Sequence, residues 1–489
     1  MVALLFTANA ATAYWSSVGT GTGSAATGTL AAPTNASATA AAGGSTVSVS
    51  WTPSAVSPGQ VAPQGYYVTR VNGGTGAAAC GTTPAALTSA ASCADPNVPN
   101  GTYSYLVTAV YRSWTATSTT SSTATVRAAA KLAFSGQPPP TVAGTSITPA
   151  IAVTLQDAAG SPVAAAGFSV TVSIGSNPAA GTLSGTATAV TNTSGVAAFG
   201  DLSINKAGTG YILAATSSGL AAATSSTFAV TAAAAAAVVF GQQPTTAVAG
   251  TGITPPVTAQ IVDQFGNLTA STAAVTAAIG TNPGAGTLSG TVTQNAVAGV
   301  ATFSGLSINK AAAGYTLTAG SGSLTGATSS AFTITAGAAS KFAITSAAVS
   351  GPASSTATLG PISVQRQDAS GNPVSAAGVT VNLASNSTGT KVFALTSGGS
   401  SVTSVTIPAG SSTATFYYGD KLVGSPIVTV SGSLTSATQS ETITAAVAAA
   451  VVFGQQPTTA VAGTGITPPV TAQIVDQFGN LTASTAAVT

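Results

Sequence analysis

The sequence predicts an all-β chain, a tandem array of β-sandwich domains whose last member is truncated. Three observations predict it. Residues 448–489 repeat residues 235–276 letter for letter, and that run opens a unit of about 100 residues, the mark of small domains in series. Apolar residues recur with a period of two, as in Val47, Val49, Trp51 and in Val170, Val172, Ile174, which is the pattern of strands with one buried face. Gly, Pro and Asn punctuate these short runs, as they do between the strands of sandwiches.

Composition bounds the surroundings. Charged residues make up 4% of the 489 residues, against roughly 25% in an ordinary soluble protein. No stretch holds the roughly 20 consecutive large apolar residues that span a bilayer, and the Ala-rich segments are broken by Thr, Ser, Gly and Pro every few positions. A membrane span is therefore not expected. Net charge is +2, from ten basic and eight acidic residues scattered singly. Without a basic patch to neutralise phosphates, nucleic acid is excluded as a partner. A near-neutral, hydroxyl-rich surface suits an exported chain in contact with polymers or with its own copies, because few charges guard its strand edges.

Taken in order, Val2–Phe6 is a short apolar run followed by the small-x-small triplets Ala8-Asn9-Ala10 and Ala11-Thr12-Ala13. Residues 1–13 read as a signal-peptide remnant without its basic leader region, and so imply export. Residues 14–30 read as a flexible Gly/Ser/Thr leader. Residues 31–128 form a first sandwich, with Tyr103, Tyr105, Val107 and Ala109 on one face of a late strand. Cys80 and Cys93 are the only cysteines, and in a secreted domain such a pair reads as a disulfide. Pro33, VSWTPS (49–54), GYYVTR (65–70) and GTYSYLVTAVY (101–111) resemble a fibronectin type III domain. The resemblance implies that Trp51 packs in the core and that Tyr103 makes a corner hydrogen bond. The Cys pair departs from the family's common pattern.

From Lys131 one template recurs, giving units at 131–232, 237–336 and 339–445 and a truncated copy at 450–489. KLAFSGQPPPTVAGTSITP (131–149) aligns with VVFGQQPTTAVAGTGITP (238–255), and DLSINKAGTGYILAA (201–215) with GLSINKAAAGYTLTA (305–319). The third unit has diverged and is recognised from KFAITS (341–346), RQDASGNPV (366–374) and FYYGD (416–420). These units resemble the bacterial immunoglobulin-like repeats of surface proteins and invasin-type adhesins, through the F-x-x-Q-P opening, the D-x-x-G turn and the INKA-x-x-GY segment. Short Ala-rich linkers at 128–130, 232–237, 336–339 and 445–450 are expected to be extended, being too short for an isolated helix, and to favour a semi-rigid rod. Residues 450–489 hold only the opening strands, and are expected to be loosely packed.

Candidate sites are few. Asp157, Asp263, Asp368 and Asp476 recur in D-x-x-G. As calcium ligands they would need several more oxygens nearby; as the first residue of a turn, with Gly160, Gly266, Gly371 and Gly479 following, each is complete. The turn is the favoured reading, with no metal and no cofactor. There is no His and only one Glu, Glu441, so neither a Ser-His type triad nor a facing carboxylate pair is available and no catalytic residue is assigned. Lys206 and Lys310 recur, and are read as solvated. Tyr111, Arg112 and Trp114 cluster after a late strand of the first unit, either as a sugar-stacking surface or, the favoured reading, as packing over the sandwich end or against the next unit. Asn35, Asn192, Asn267, Asn386 and Asn480 stand in glycosylation sequons, which chance alone supplies in so Thr/Ser-rich a chain.

Together these readings imply a non-enzymatic extracellular or cell-surface repeat protein, of stalk or adhesin type and bacterial in character. Its expected partners are a surface or extracellular polysaccharide, a protein receptor, or other copies of itself. The alternatives are an accessory region of a secreted polysaccharide-degrading enzyme and a self-assembling surface-layer or fibre subunit.

Overall fold

The computed structural model describes residues 28–489; the signal-peptide remnant and all but the last residues of the leader lie outside the described residues. Every regular element among the described residues is a β-strand, and no helix is long and apolar enough to cross a membrane. The chain is an all-β tandem array of sandwiches. It divides into two compact units: one runs to Ala233 and takes in Phe265–Asn267, and the other holds Ala234–Gln264 and Leu268–Thr489. Each unit contains two separate apolar cores.

In the first unit, the first sandwich pairs Thr34–Ala40, Val47–Thr52 and Ser92–Asp95 in one sheet. Thr75–Ala79, Gly65–Asn72, Gly101–Tyr111 and Trp114–Thr117 form the other, with Ala124–Val126 on the Gly101 end. Val47, Val49 and Trp51 alternate inward with Ser48, Ser50 and Thr52 outward, as a half-buried strand requires. Cys80 and Cys93 are joined, with Cα atoms 5.8 Å apart, and the bond ties the end of Thr75–Ala79 in one sheet to Ser92–Asp95 in the other. Among the described residues Tyr103 makes no corner hydrogen bond through its hydroxyl. Its ring lies under the Arg70 guanidinium, 5.4 Å from the centroid, and the hydroxyl bonds go to its neighbours: Tyr105 donates to Asp95 at 3.0 Å, and Tyr66 accepts from Ser54 N–H at 3.0 Å.

The second sandwich of that unit builds its core from Ile151, Val153 and Leu155 on one sheet and Val170, Val172, Tyr211, Leu213 and Val230 on the other. In the second unit, Ile261, Val275, Tyr315, Leu317 and Ile334 do the same for the next repeat, and Ile362, Val364, Val381, Tyr418, Val428 and Ile443 for the diverged one. Two of the four alanine linkers run directly into strands. The strand Ala235–Gln242 opens inside the alanine run, and Ala448–Gln455 does so in the last copy.

Residues 448–489 form a two-stranded sheet, Ala448–Gln455 with Thr471–Asp476. Its register reproduces that of the identical segment: Phe453 faces Ala472 as Phe240 faces Ala259. Burial differs. Val238 is 1% exposed and its counterpart Val451 is 56% exposed, because Val300–Phe303 and the opposing sheet that cover the first copy have no counterpart within these 489 residues. Only the tail of the last copy, at Val475, Asp476 and Asn480, is buried.

Candidate functional site at the repeat junctions

The D-x-x-G turns fold as their sequence dictates. In the diverged repeat, Asp368 N–H donates to the Asn372 carbonyl, Gly371 N–H to the Asp368 carbonyl, and Gly371 takes φ +78°, which glycine adopts without strain. The Asp368 carboxylate then does more than close the turn. Oδ1 accepts Asn372 N–H at 2.8 Å, and Oδ2 accepts Asn372 Nδ2 at 2.8 Å and, from the linker, Gly337 N–H at 2.9 Å. The last copy repeats this: Asp476 Oδ1 accepts Asn480 N–H, and Oδ2 accepts Asn480 Nδ2 and the linker Ala446 N–H, each at 2.9 Å. Burial alone would raise both carboxyls. The surrounding N–H donors outweigh it, holding Asp368 below its ordinary value and Asp476 at about 2. Oxygens ringed by N–H hydrogens present the wrong polarity to a calcium ion. At Asp368 and Asp476 the turn gains a second role, since each of these two carboxylates also anchors the linker that precedes it.

The residue after the glycine completes the junction. Asn372 Nδ2 also donates to Asn309 O of the preceding repeat at 2.9 Å, while Ala311 N–H donates to Asn372 Oδ1 at 2.9 Å. Asn480 does the same to the diverged repeat, donating to Lys421 O at 2.7 Å and accepting Val423 N–H at 3.1 Å. A primary amide has two donors and one acceptor oxygen here, and the turn and the preceding loop use all of them. To this asparagine the loop offers main chain, a carbonyl and the N–H two residues on. Within the first unit, Asn267 donates to Asn205 O at 2.9 Å and accepts Ala207 N–H at 3.0 Å.

The lysines sit on the same turns. Lys310 Nζ donates to Ser370 O at 2.9 Å, and in the first unit Lys206 Nζ donates to Phe265 O at 2.5 Å. Lys421 lies over the Phe478 ring, 5.8 Å from the centroid. The expectation of solvated lysines is thus corrected: each reaches the third residue of a D-x-x-G turn. Asn267 and Asn480, two of the sequon asparagines, are buried with Nδ2 already donating, so a glycan there is incompatible with the fold. At Asp157 the position after the glycine is Ser161. That turn closes on itself, with Ser161 N–H on Asp157 Oδ1 at 2.9 Å. The preceding sandwich is met elsewhere, by Ala129 N–H on Gly43 O at 2.9 Å and Arg127 on Pro162 O at 3.2 Å.

Tyr111, Arg112 and Trp114 do come together. Tyr111 and Trp114 face each other across a hairpin turn, rings edge to face at 6.3 Å, and the Arg112 guanidinium lies 5.5 Å from the Tyr111 centroid. Arg112 N–H donates to Gln64 Oε1, with φ +51° at this residue. The Trp114 ring packs beside Gly28. The trio stands at the Tyr111 end of Gly101–Tyr111, while the chain leaves for the next sandwich from the Gly101 end. Trp114 therefore does not cover that interface.

No protein-family model and no curated protein matches the sequence. Among solved structures, a fragment of the surface layer protein SbsC, domains 1–6, is 17% identical over 92% of this chain, with a TM-score of 0.20; this chain spans 58% of that structure. InvD of Yersinia pseudotuberculosis is 17% identical over 64% of this chain and 96% of its own, with a TM-score of 0.28. The titin I-band fragment I67–I69 is 13% identical over 63% of this chain and 97% of its own, with a TM-score of 0.24. At these values the fold assignment rests on the strand pairing and cores above.

Proposed function

We propose that the chain is a non-enzymatic extracellular repeat protein, a stalk-type spacer that presents a module or mediates adhesion at a cell surface. Its sandwich limits on this reading are 31–128, 131–232, 237–336 and 339–445, with a partial copy at 450–489. The observation that carries it is the junction chemistry of the second unit. There, recurring polar side chains hold one repeat to the loop and linker of the one before, rather than converging on a cleft. Each sandwich also has its own core, so force applied along the chain is borne by units that fold separately.

Single-molecule pulling on the two ends of the full chain tests this. Separate unfolding events are expected, one per complete sandwich, each releasing about 100 residues or roughly 350 Å of extended chain before the folded length is subtracted. One concerted event would overturn the reading.

A further inference from the structure

The only glutamate in the chain stands where its sister repeats place a core phenylalanine. FAVT (228–231), FTIT (332–335) and ETIT (441–444) align, and the strand register agrees independently: Val230, Ile334 and Ile443 each pair in parallel with the short strand at 141–142, 247–248 or 350–352. Phe228 and Phe332 pack on Tyr211 and Tyr315, with ring centroids 5.9 and 6.1 Å apart. Glu441 is 0% exposed in that place. Its Oε2 accepts Val349 N–H at 2.6 Å, while Oε1 is buried with no partner among the described residues. Two residues earlier along the same extended run, Gln439 Oε1 is also buried without a partner. A proton on Glu441 Oε1 removes the charge from a buried carboxyl that has a single hydrogen-bond donor.

The segment is wired to the next junction. Glu441 N–H donates to Pro426 O, and Ile443 and Gly424 exchange hydrogen bonds at 2.8 and 3.1 Å. Gly424 follows Val423, whose N–H holds Asn480, and Ala446 N–H, three residues past Ile443, holds Asp476. We propose that the diverged repeat is a proton-sensitive joint: Glu441 is buried in its protonated form, and its ionisation loosens the strand that supports the socket for Asn480.

The flanking strands Ser350–Pro352, Ile427–Ser431 and Ala437–Ser440 carry no titratable side chain. Tyr417, Tyr418 and Asp420 are the titratable groups on Thr413–Asp420, with Tyr417 on the opposite face of the strand from Tyr418. Both Asp420 oxygens already have donors, Tyr418 O–H at 2.6 Å and Leu422 N–H at 2.9 Å. Lys391 and Lys341 point to Ser387 O and Ala369 O, Arg366 to the carbonyls of Val374, Ala377 and Ser411, and Lys421 to Phe478; among the described residues no cation pairs with Glu441. Burial accordingly raises its carboxyl above the ordinary 4.5, against the lowering effect of Val349 N–H. A raised folded value means the stabilisation is complete below 4.5 and is lost as pH rises through the folded value. This property does not depend on the stalk reading.

Because the chain has one glutamate, the full protein labelled with carboxyl-13C glutamate gives one side-chain resonance whose titration reads Glu441 directly. It is expected to titrate above 4.5, and exchange protection of Val423, Ile443 and Ala446, corrected for intrinsic rate, to fall about tenfold per pH unit up to the folded value. Ala311 and Ile334 serve as controls and should show no such fall. Glu441→Gln should keep the protection flat with pH. An ordinary titration of the wild-type resonance overturns the proposal, as does a fall in the Gln variant equal to that of wild type.

Discussion

Asn372→Ala separates junction from turn. The turn's own bonds at this residue use main chain, Asn372 N–H on Asp368 Oδ1 and Asp368 N–H on the Asn372 carbonyl, and survive the substitution. What goes are the two bonds to the preceding repeat, to Asn309 O and from Ala311 N–H, together with one amide contact to Asp368 Oδ2. At about 1 kcal/mol net for each neutral hydrogen bond, the two inter-repeat bonds hold about 2 kcal/mol of junction stability. At 1.4 kcal/mol per factor of ten, the junction should open about 30-fold more often. Hydrogen exchange in the full chain reads this at Ala311, and at Gly337, whose anchor Asp368 loses its companion. Exchange should rise there, while Val364 in the core of the diverged repeat stays protected. Asn372→Ser, which installs the residue the first repeat carries at Ser161, should fall between wild type and Ala. Unchanged exchange at Ala311 refutes the reasoning, and so does a rise shared equally with Val364, because that would be loss of fold rather than loss of a joint.

Much of the fold was legible because burial writes itself in period two. Val47, Val49, Trp51 and Ile151, Val153, Leu155 each alternate with exposed or half-buried neighbours, as their spacing predicts. Tyr103 was misplaced for a physical reason. Tyr103 and Tyr105 point the same way on one strand, and which hydroxyl finds a partner depends on where Asp95 lies in the opposite sheet. Nothing local to the strand encodes that.

The junction was half legible. The recurrence of aspartate showed that the turn mattered, but the partners of its second oxygen, Gly337 and Ala446, sit 31 and 30 residues upstream, beyond any local pattern. The asparagines Asn267, Asn372 and Asn480 were visible after the glycine, with serine at Ser161 as the exception, and that contrast was the available signal. Two of them also match a sequon, and the commoner meaning of the motif obscured the structural one. The socket is illegible in principle, because Asn309–Ala311 and Lys421–Val423 contribute carbonyl and amide groups that every sequence possesses. This also explains how the diverged repeat lost INKA yet still receives Asn480. Glu441 had been set aside as a failed catalyst, when its alignment with Phe228 and Phe332 was the informative comparison.

Two further outcomes follow from the same geometry. Asp476, held at about 2 against an ordinary 3.8, stabilises its junction fully above the unfolded value and loses that contribution as pH falls from 3.8 toward 2; carboxyl-13C aspartate spectra should show it ionised at pH 3, and titration at 3.8 would refute the assignment. The identical segments give a stricter test. Intrinsic exchange rates depend on local sequence, so any difference between residues 235–276 and 448–489 is structural. The two copies yield the same peptides, so NMR of a segmentally labelled chain is needed to tell them apart. Amides of Val451 and Val452 should exchange orders of magnitude faster than those of Val238 and Val239, because the apolar face that buries Val238 is open at Val451. Protection should then climb along the last copy to Asp476 and Asn480, where the turn meets Lys421 and Val423. A copy that is uniformly fast would mean the junction needs a complete sandwich to form. A copy that is uniformly as slow as residues 235–276 would mean that the two strands hold together without the core that covers the first copy, and the account of burial given for Val238 would be wrong.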